Sequence, residues 1–279
     1  MDDTFSSPRI HPSAAVHPGA QLHPTVEVGP FCSVGEHVSI GAHTKLYSHV
    51  AISGWTTIGE DNIIFPGAAI GFEPQDLKYD GSPSQVIIGD RNRIRECVTV
   101  NRATGEGEQT CIGHDNLLMA YAHVAHNCVL ADEVVIANSV ALAGYVHVES
   151  RARISGLVGV HQFTHIGSMA MVGGMARLDR DVPPFMMVEG NPGRLRGLNL
   201  VGLKRAGLKS TEKTIKHLKD AYRLLYRSGM SMEKALSQLS NQTDDPYVNA
   251  LVTFLDCSLH DEGRRGPLPS RMQSVPSKT

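Results

Sequence analysis

Stepping by six residues from Ile10, the chain places Ile, Leu or Val at 26 of the 29 positions that end at Leu178. Chance at the overall frequency of these residues would fill roughly a fifth to a quarter of them. A period of six matches neither the α-helical turn nor the heptad. Antiparallel hairpins would instead alternate with period two and show turn signals every ~8 to 12 residues. A short strand followed by a corner accounts for the unit, and three units close one triangular coil. Residues eighteen apart should then stack at one strand spacing, ~4.8 Å.

The residue after the aliphatic is often glycine (Gly29, Gly35, Gly41, Gly59, Gly89, Gly113, Gly167, Gly173), expected to ease the corner between strands. The fourth residue after it is usually small, as at Ala14, Ala20, Cys32, Thr44, Ala68, Ala122, Cys128, Ala152 and Ala170. Large and small positions together fill a narrow prism from inside. The three exceptions, Asp76, Ser82 and Glu106, fall in the stretches 72–86 and 102–111. Both read as loops thrown out from a coil, and long loops on a rigid scaffold are where function collects.

After Leu178 the pattern stops, and Asp181-Val182-Pro183-Pro184 followed by Gly190-Asn191-Pro192-Gly193 marks a boundary. The expected organisation is a parallel β-helix over 1–190, a small α-helical domain over 191–262 and a disordered tail over 263–279. The helices are expected over 211–228, with Ser210 as N-cap and Gly229 as stop, from Ser231 through Leu239, and from Asp245-Pro246 to about Leu259.

With 41% hydrophobic residues the chain can bury a sizeable core. No apolar run is long enough to span a membrane, and Met1-Asp2-Asp3-Thr4 lacks the start of a secretory signal, so a soluble cytoplasmic protein is expected. Five cysteines without a CxxC pair suit a reducing compartment and argue against a disulfide framework or a zinc ribbon. The formal charge of −2 conceals a basic segment: between 190 and 230, ten Lys or Arg face only Glu212 and Asp220, a net of +8. That segment points to an acidic partner or a phosphate-bearing ligand.

Most of the 14 histidines, such as His17, His23, His37 and His43, take outward positions and read as surface residues. Spacing singles out His126 in the segment Ala122 to Cys128. Eighteen residues on stands Gly144, and eighteen further Gln162, so an ideal coil lines up an imidazole, a bare backbone amide and a carboxamide. Acyl transfer to a hydroxyl needs a base near neutrality and a donor for the developing oxyanion. Cys128 holds a small inward position and reads as core rather than as a nucleophile. A zinc site from His123 and His126 with His147, His161 or His165 is the stronger competitor. A second stacked line, Asn138, Gly156 and Gly174, leaves a strip without side chains that admits either an acyl tail or tight subunit packing.

The hexads over 10–178 are joined by several specific segments: Gly71 to Tyr79, Ile88 to Glu96, Asn116 to Cys128, Val160-His161-Gln162-Phe163 and Gly202-Leu203-Lys204-Arg205. Together, over roughly 10–260, they resemble the UDP-N-acetylglucosamine 3-O-acyltransferase family that begins lipid A synthesis. The resemblance implies an all-β left-handed parallel β-helix with an α-helical C-terminal domain. It also implies a homotrimer with active sites between subunits, acyl carrier protein as donor, and neither cofactor, metal, nucleic acid nor membrane span. Carried onto matching positions, His126 is the general base and Gly144 supplies the oxyanion amide. Asp76, Lys78, His123, His161 and Gln162 contact the sugar nucleotide, Asn199 and Arg205 hold its uridine and phosphate end, and Gly156 and Gly174 meet the acyl chain. The basic helices receive the acidic carrier. Asn127 replaces an aspartate that often follows the catalytic histidine; Tyr145, Val201 and Ala206 also depart from the common pattern.

An N-acyltransferase of the same pathway would carry an additional N-terminal domain, for which repeats beginning at Ile10 leave no room. An acetyl-CoA-dependent acetyltransferase gives no reason for the Gln75 to Lys78 insertion, and a non-enzymatic assembly module needs no His126. A zinc carbonic anhydrase on the same scaffold is the metal alternative.

Overall fold

A computed structural model of the chain describes residues 7–206, 212–241 and 244–269. The N-terminal Met1 to Thr4, Ser210 and residues 270–279 lie outside them. The expected left-handed parallel β-helix is what the hexads form: among the described residues, strands of two to five residues stack into three sheets of 11, 9 and 8 strands, parallel but for the last pair of the first sheet. The first sheet carries Val28, Leu46 and Leu118, the second Val34, Val124 and Leu142, and the third Ile40, Leu130 and Val148.

Eighteen-residue stacking holds wherever the hexads run unbroken, as in Arg9↔Glu27 and His123↔Ala141↔Gly159. The two off-grid stretches change the offset. Ile64 pairs with Ile94 and Val100 with Val124, so each excursion adds residues without breaking the ladder. The inward aliphatics are nearly all buried, whereas Ile10, in the first coil of the described residues, is 41% exposed.

The corners differ from expectation. A left-handed φ occurs at the third residue after the aliphatic, and it is carried by ordinary residues such as Tyr121 (63°), Asn127 (59°) and Tyr145 (60°). Each costs about 1–2 kcal/mol in steric terms, offset by coil-to-coil hydrogen bonds and core packing. Glycine directly after the aliphatic answers a different demand: a β-carbon on Gly41 would lie 2.7 Å from the Gly59 backbone. Inside the prism, Thr44, Asn62, Asn92 and Asn116 occupy the small position and form a polar ladder. Each asparagine N–H bonds to the side-chain oxygen of the rung before it, at 2.9 to 3.1 Å.

The first sheet continues past 190. Met186–Glu189 pairs antiparallel with Arg194–Leu198, so residues expected to open the helical domain complete the sheet instead. Among the described residues four helices follow: α1 Leu200–Arg205, α2 Glu212–Arg227, α3 Met232–Ser240 and α4 Pro246–His260. The short α1 went unexpected because only Asn199 announces it, its side chain accepting from Gly202 N at 2.9 Å. Asp245 caps α4 through Tyr247 N and Val248 N as the Asp-Pro signal suggests, whereas Ser231 caps α3 without a side-chain bond. Leu218, Leu225, Leu236, Leu251 and Leu255 close the helical core.

Residues 263–269, expected to begin a disordered tail, are ordered. The fully buried Asp181 accepts from Arg264 Nε at 2.8 Å, Ser258 Oγ at 2.6 Å and His165 N at 2.8 Å, and Leu268 is buried beside it. A buried carboxylate requires such partners, and they recruit the polar tail that composition alone assigns to solvent.

Candidate active site

The outward face of the second sheet lines an open groove of about 1370 Å³. Its wall includes His126, Gly144 and Gln162 on three successive coils, together with Asp76 and Lys78 from the first loop, His123 from the sheet and His161 just past the strand Gly159–Val160. Seven of the residues singled out from sequence therefore share one surface.

His126 is largely enclosed, its side chain 12% exposed. Thr104 Oγ1 lies 2.9 Å and Asn127 Oδ1 3.0 Å from its Nδ1. The orientation of the Asn127 amide follows from its other contacts: Oδ1 accepts from Thr104 N at 3.1 Å and Nδ2 donates to Glu108 Oε2 at 2.7 Å. With a carbonyl oxygen against it, His126 Nδ1 must be the protonated nitrogen, which leaves Nε2 with the basic lone pair. Asp76 Oδ2 stands 3.8 Å from Nε2, at the nitrogen that the Asn127 contact leaves free. The Lys78 N–H, helped by His126 and Thr104, holds the Asp76 carboxyl below the usual carboxylate range.

Gly144 packs under the imidazole so closely that a β-carbon would lie 2.3 Å from His126 Cε1 and 2.5 Å from Nε2. Its neighbours Ala143 N and Tyr145 N bond to Val160 O and His126 O, while among the described residues the Gly144 N–H makes no backbone bond. An undirected donor thus sits beside the basic nitrogen. Tyr145 meets the imidazole edge-on at 5.4 Å and stacks on Phe163 at 4.9 Å, walling one side of the site. Burial, and the nearby Glu108 and Asp76 carboxylates, push its phenol up. His123 bonds Thr99 Oγ1 through Nδ1 at 2.7 Å, and burial, then the neighbouring His126, lower its pKa, favouring the neutral ring.

Cys128 belongs to the core. It is fully buried, its Sγ lies 3.1 Å from Ala143 O, and burial pushes the thiol up to about 12. His147 and His165 sit on the third sheet, stacked on each other at 4.3 Å, and so lie on a different face from His123 and His126. Among the described residues no three His, Cys, Asp or Glu side chains gather as a metal site. Some outward histidines close corners locally, His17 Nδ1 accepting from Gly19 N at 3.1 Å and His23 Nδ1 from Thr25 N at 3.3 Å.

Asn199 and Arg205 line a separate pocket of about 1030 Å³ on the first sheet, with Val201, Ala206, Arg153 and Met171. Asn199 is mostly buried; besides capping α1 it donates to Met169 O at 2.9 Å. Gly156 and Gly174 line neither pocket. They lie at the corner between the first and second sheets beside the exposed Leu157 and Met175, and an added β-carbon there meets nothing nearer than 3.3 Å.

Sequence reasoning missed Thr104 and Glu108, although both lie in the second off-grid loop. The spacing from Thr104 to His126 is not a coil multiple, because that loop shifts the register.

Residues 181–267 match the family model for UDP-N-acetylglucosamine O-acyltransferase, domain 2. The acyl-(acyl-carrier-protein)–UDP-N-acetylglucosamine O-acyltransferase of Gloeothece citriformis is 63% identical over 222 residues, 80% of either chain. The Synechocystis protein of the same name is 59% identical over 222 residues, again 80% of either chain. Among solved structures, the Francisella novicida UDP-N-acetylglucosamine acyltransferase superposes with a TM-score of 0.88 at 36% identity, covering 97% of this chain and 100% of that one. The Arabidopsis UDP-N-acetylglucosamine acyltransferase gives 0.84 at 37% identity, covering 93% and 99%. On this identity, coverage and shared fold, the chain belongs to the UDP-N-acetylglucosamine O-acyltransferase family.

Proposed function

We propose that the chain transfers a 3-hydroxyacyl group from acyl carrier protein to the 3-hydroxyl of UDP-N-acetylglucosamine, the first step of lipid A biosynthesis, without a covalent acyl-enzyme. The observation that carries this reading is His126 Nε2, left basic by the bonds at Nδ1, beside the unengaged Gly144 N–H. His126 takes the proton of the sugar hydroxyl as its oxygen attacks the thioester carbonyl. Gly144 N–H receives the negative charge on the carbonyl oxygen. Collapse expels the carrier thiolate, which takes the proton back from the imidazolium, leaving an ester and a free thiol.

Asp76, Lys78, His123, His161 and Gln162 line the groove that receives the sugar nucleotide. Arg205 holds its phosphate end, and Asn199 acts chiefly by capping the helix that presents Arg205. In one chain these residues lie on a different face from His126, which favours a site completed by a second subunit.

Support for a homotrimer comes from the corner between the first and second sheets. Phe31, Tyr121, Leu157 and Met175 stand there in one column, 62%, 66%, 63% and 70% exposed. Three triangular prisms meeting along that edge leave three wedges of about 60°, each lined by the second sheet of one subunit and the first sheet of the next. The same arrangement sets Tyr47 and Phe65 of one chain towards the small Ala15, Ser33, Ala51 and Ala69 face of its neighbour. The glycine strip at Gly156 and Gly174 accommodates the acyl tail.

The exposed Lys213, Lys216, Lys219, Arg223 and Arg227 of α2 suit the acidic carrier protein. Among the described residues no helix is long and apolar enough to cross a membrane, and the proposed location is the cytoplasm, where carrier and sugar nucleotide are available. Incubation of the purified protein with UDP-N-acetylglucosamine and a panel of 3-hydroxyacyl carrier proteins tests this reading. An ester on the 3-oxygen is expected; acylation on nitrogen, or turnover with acetyl-CoA alone, contradicts it.

A further inference from the structure

We infer that Glu108 is a positioning residue for His126, acting through Asn127, so that a carboxamide and a more distant carboxylate together replace a carboxylate beside the imidazole. The inference rests on the general-base reading of His126. Asn127 adjoins His126 in sequence, but a neutral carboxamide cannot by itself raise the basicity of an imidazole as a charge does. The charge lies one residue further out: Asn127 Nδ2 donates to Glu108 Oε2 at 2.7 Å, and the same oxygen accepts Gly105 N at 3.0 Å. Gly105 leaves the room for this, since a β-carbon there would lie 2.8 Å from Glu108 Cδ. The backbone of the loop is pinned as well, with Gln85 N bonding to Glu108 O at 2.9 Å and Gly107 N to Pro83 O at 2.8 Å.

The chain of bonds has a fixed sense. Glu108 accepts from the Asn127 amide, which turns the Asn127 carbonyl towards His126 Nδ1–H and polarises it. The second loop thereby holds the Asn127 carbonyl on Nδ1 and sets the tautomer of the base. The other titratable groups lining the same groove are Asp76 and Lys78 from the first loop, His123 from the adjoining strand, Tyr145 from the next coil, and His161, Arg177, Asp179 and Arg265 further along it. Of the two carboxylates among them, Asp76 faces Nε2 rather than Nδ1 at 3.8 Å, and Asp179 pairs with Arg177 at 3.3 Å.

The arrangement predicts a swap. Asn127→Asp alone sets two carboxylates against each other across the 2.7 Å contact, which disfavours the ionised pair. Combining it with Glu108→Gln restores a donor opposite an acceptor and puts the charge directly on the imidazole.

The decisive comparison is of kcat between pH 5 and 9 for the wild type, His126→Ala, Glu108→Gln, Asn127→Asp and the double variant. The titration of His126, followed by NMR with isotope-labelled histidine, gives a readout independent of turnover. Glu108→Gln is expected to lower kcat about three- to tenfold with KM nearly unchanged, and to move the acid limb and the His126 titration to lower pH. Asn127→Asp is expected to lose activity that the double variant recovers, with the acid limb above that of Glu108→Gln. A Glu108→Gln enzyme with unaltered kcat and His126 titration overturns the inference, as does a double variant no better than Asn127→Asp. If His126→Ala stays active, the general-base reading itself fails; if it is inactive while Glu108→Gln is unaffected, the relay alone fails.

Discussion

The imidazole of His126 rests on the bare backbone of Gly144, so near that a β-carbon on residue 144 would lie 2.5 Å from Nε2. This contact places the base and the candidate oxyanion donor on successive coils at one spot. The φ of Gly144 is not left-handed, so alanine fits its backbone, and the three atoms nearest its β-carbon all belong to the imidazole. Gly144→Ala is therefore expected to leave the melting temperature nearly unchanged while lowering kcat about a hundredfold, the scale of a 1 Å misplacement of a reacting group. Thermal melting and steady-state kinetics on the same preparation check it.

The interior ladder makes the opposite separation. Asn92 Nδ2 donates to Asn62 Oδ1 at 3.0 Å and to Gly113 O at 2.9 Å, and its Oδ1 accepts Asn116 N at 2.9 Å, the two asparagine-to-asparagine bonds being buried. Asn92→Ala strands these partners and should destabilise the fold by about 1–3 kcal/mol per unsatisfied group, with kcat at low temperature unchanged. Denaturant unfolding measures the loss.

At the far end, Arg264 is the cation on the buried Asp181 carboxylate. Arg264→Ala leaves that charge unpaired, a change that typically costs about 3–5 kcal/mol. Limited proteolysis is expected to cut first after Leu259, where the segment through Pro269 comes off the last coils.

Acid sensitivity should arise beside this anchor. Burial, then Arg264 and His147, lower the pKa of His165 to about 3, and burial and Arg264 lower that of His147. A histidine whose pKa is lower in the folded protein resists protonation there, whereas the unfolded chain takes the proton near pH 6.5. Its contribution is full above that value and is lost as pH falls from about 6.5 towards 3. His165→Phe keeps a ring in the stack without titrating, so its melting temperature should fall less steeply than that of the wild type over this window.

Much of the fold was legible because a period of six is incompatible with helix, heptad or hairpin, and adding eighteen to His126 led to Gly144 and Gln162. The corners were misjudged for a physical reason: the left-handed φ at Tyr121 or Tyr145 is stabilised by contacts between coils, which no local residue preference reveals. Glu108 and Thr104 escaped because the second loop shifts the coil spacing. Arg264 and Leu268 looked like parts of a solvated tail because the buried Asp181 that recruits them lies about eighty residues away. Asn199 and Arg205 could be matched to His126 only by resemblance, since no single prism has both faces in one site.

That His126 is the base is tested most directly by His126→Ala with 3-hydroxyacyl carrier protein and UDP-N-acetylglucosamine as substrates. Ester formation is expected to fall by at least about a thousandfold, with the melting temperature and assembly state retained. Ester formation within a few-fold of the wild type would contradict it.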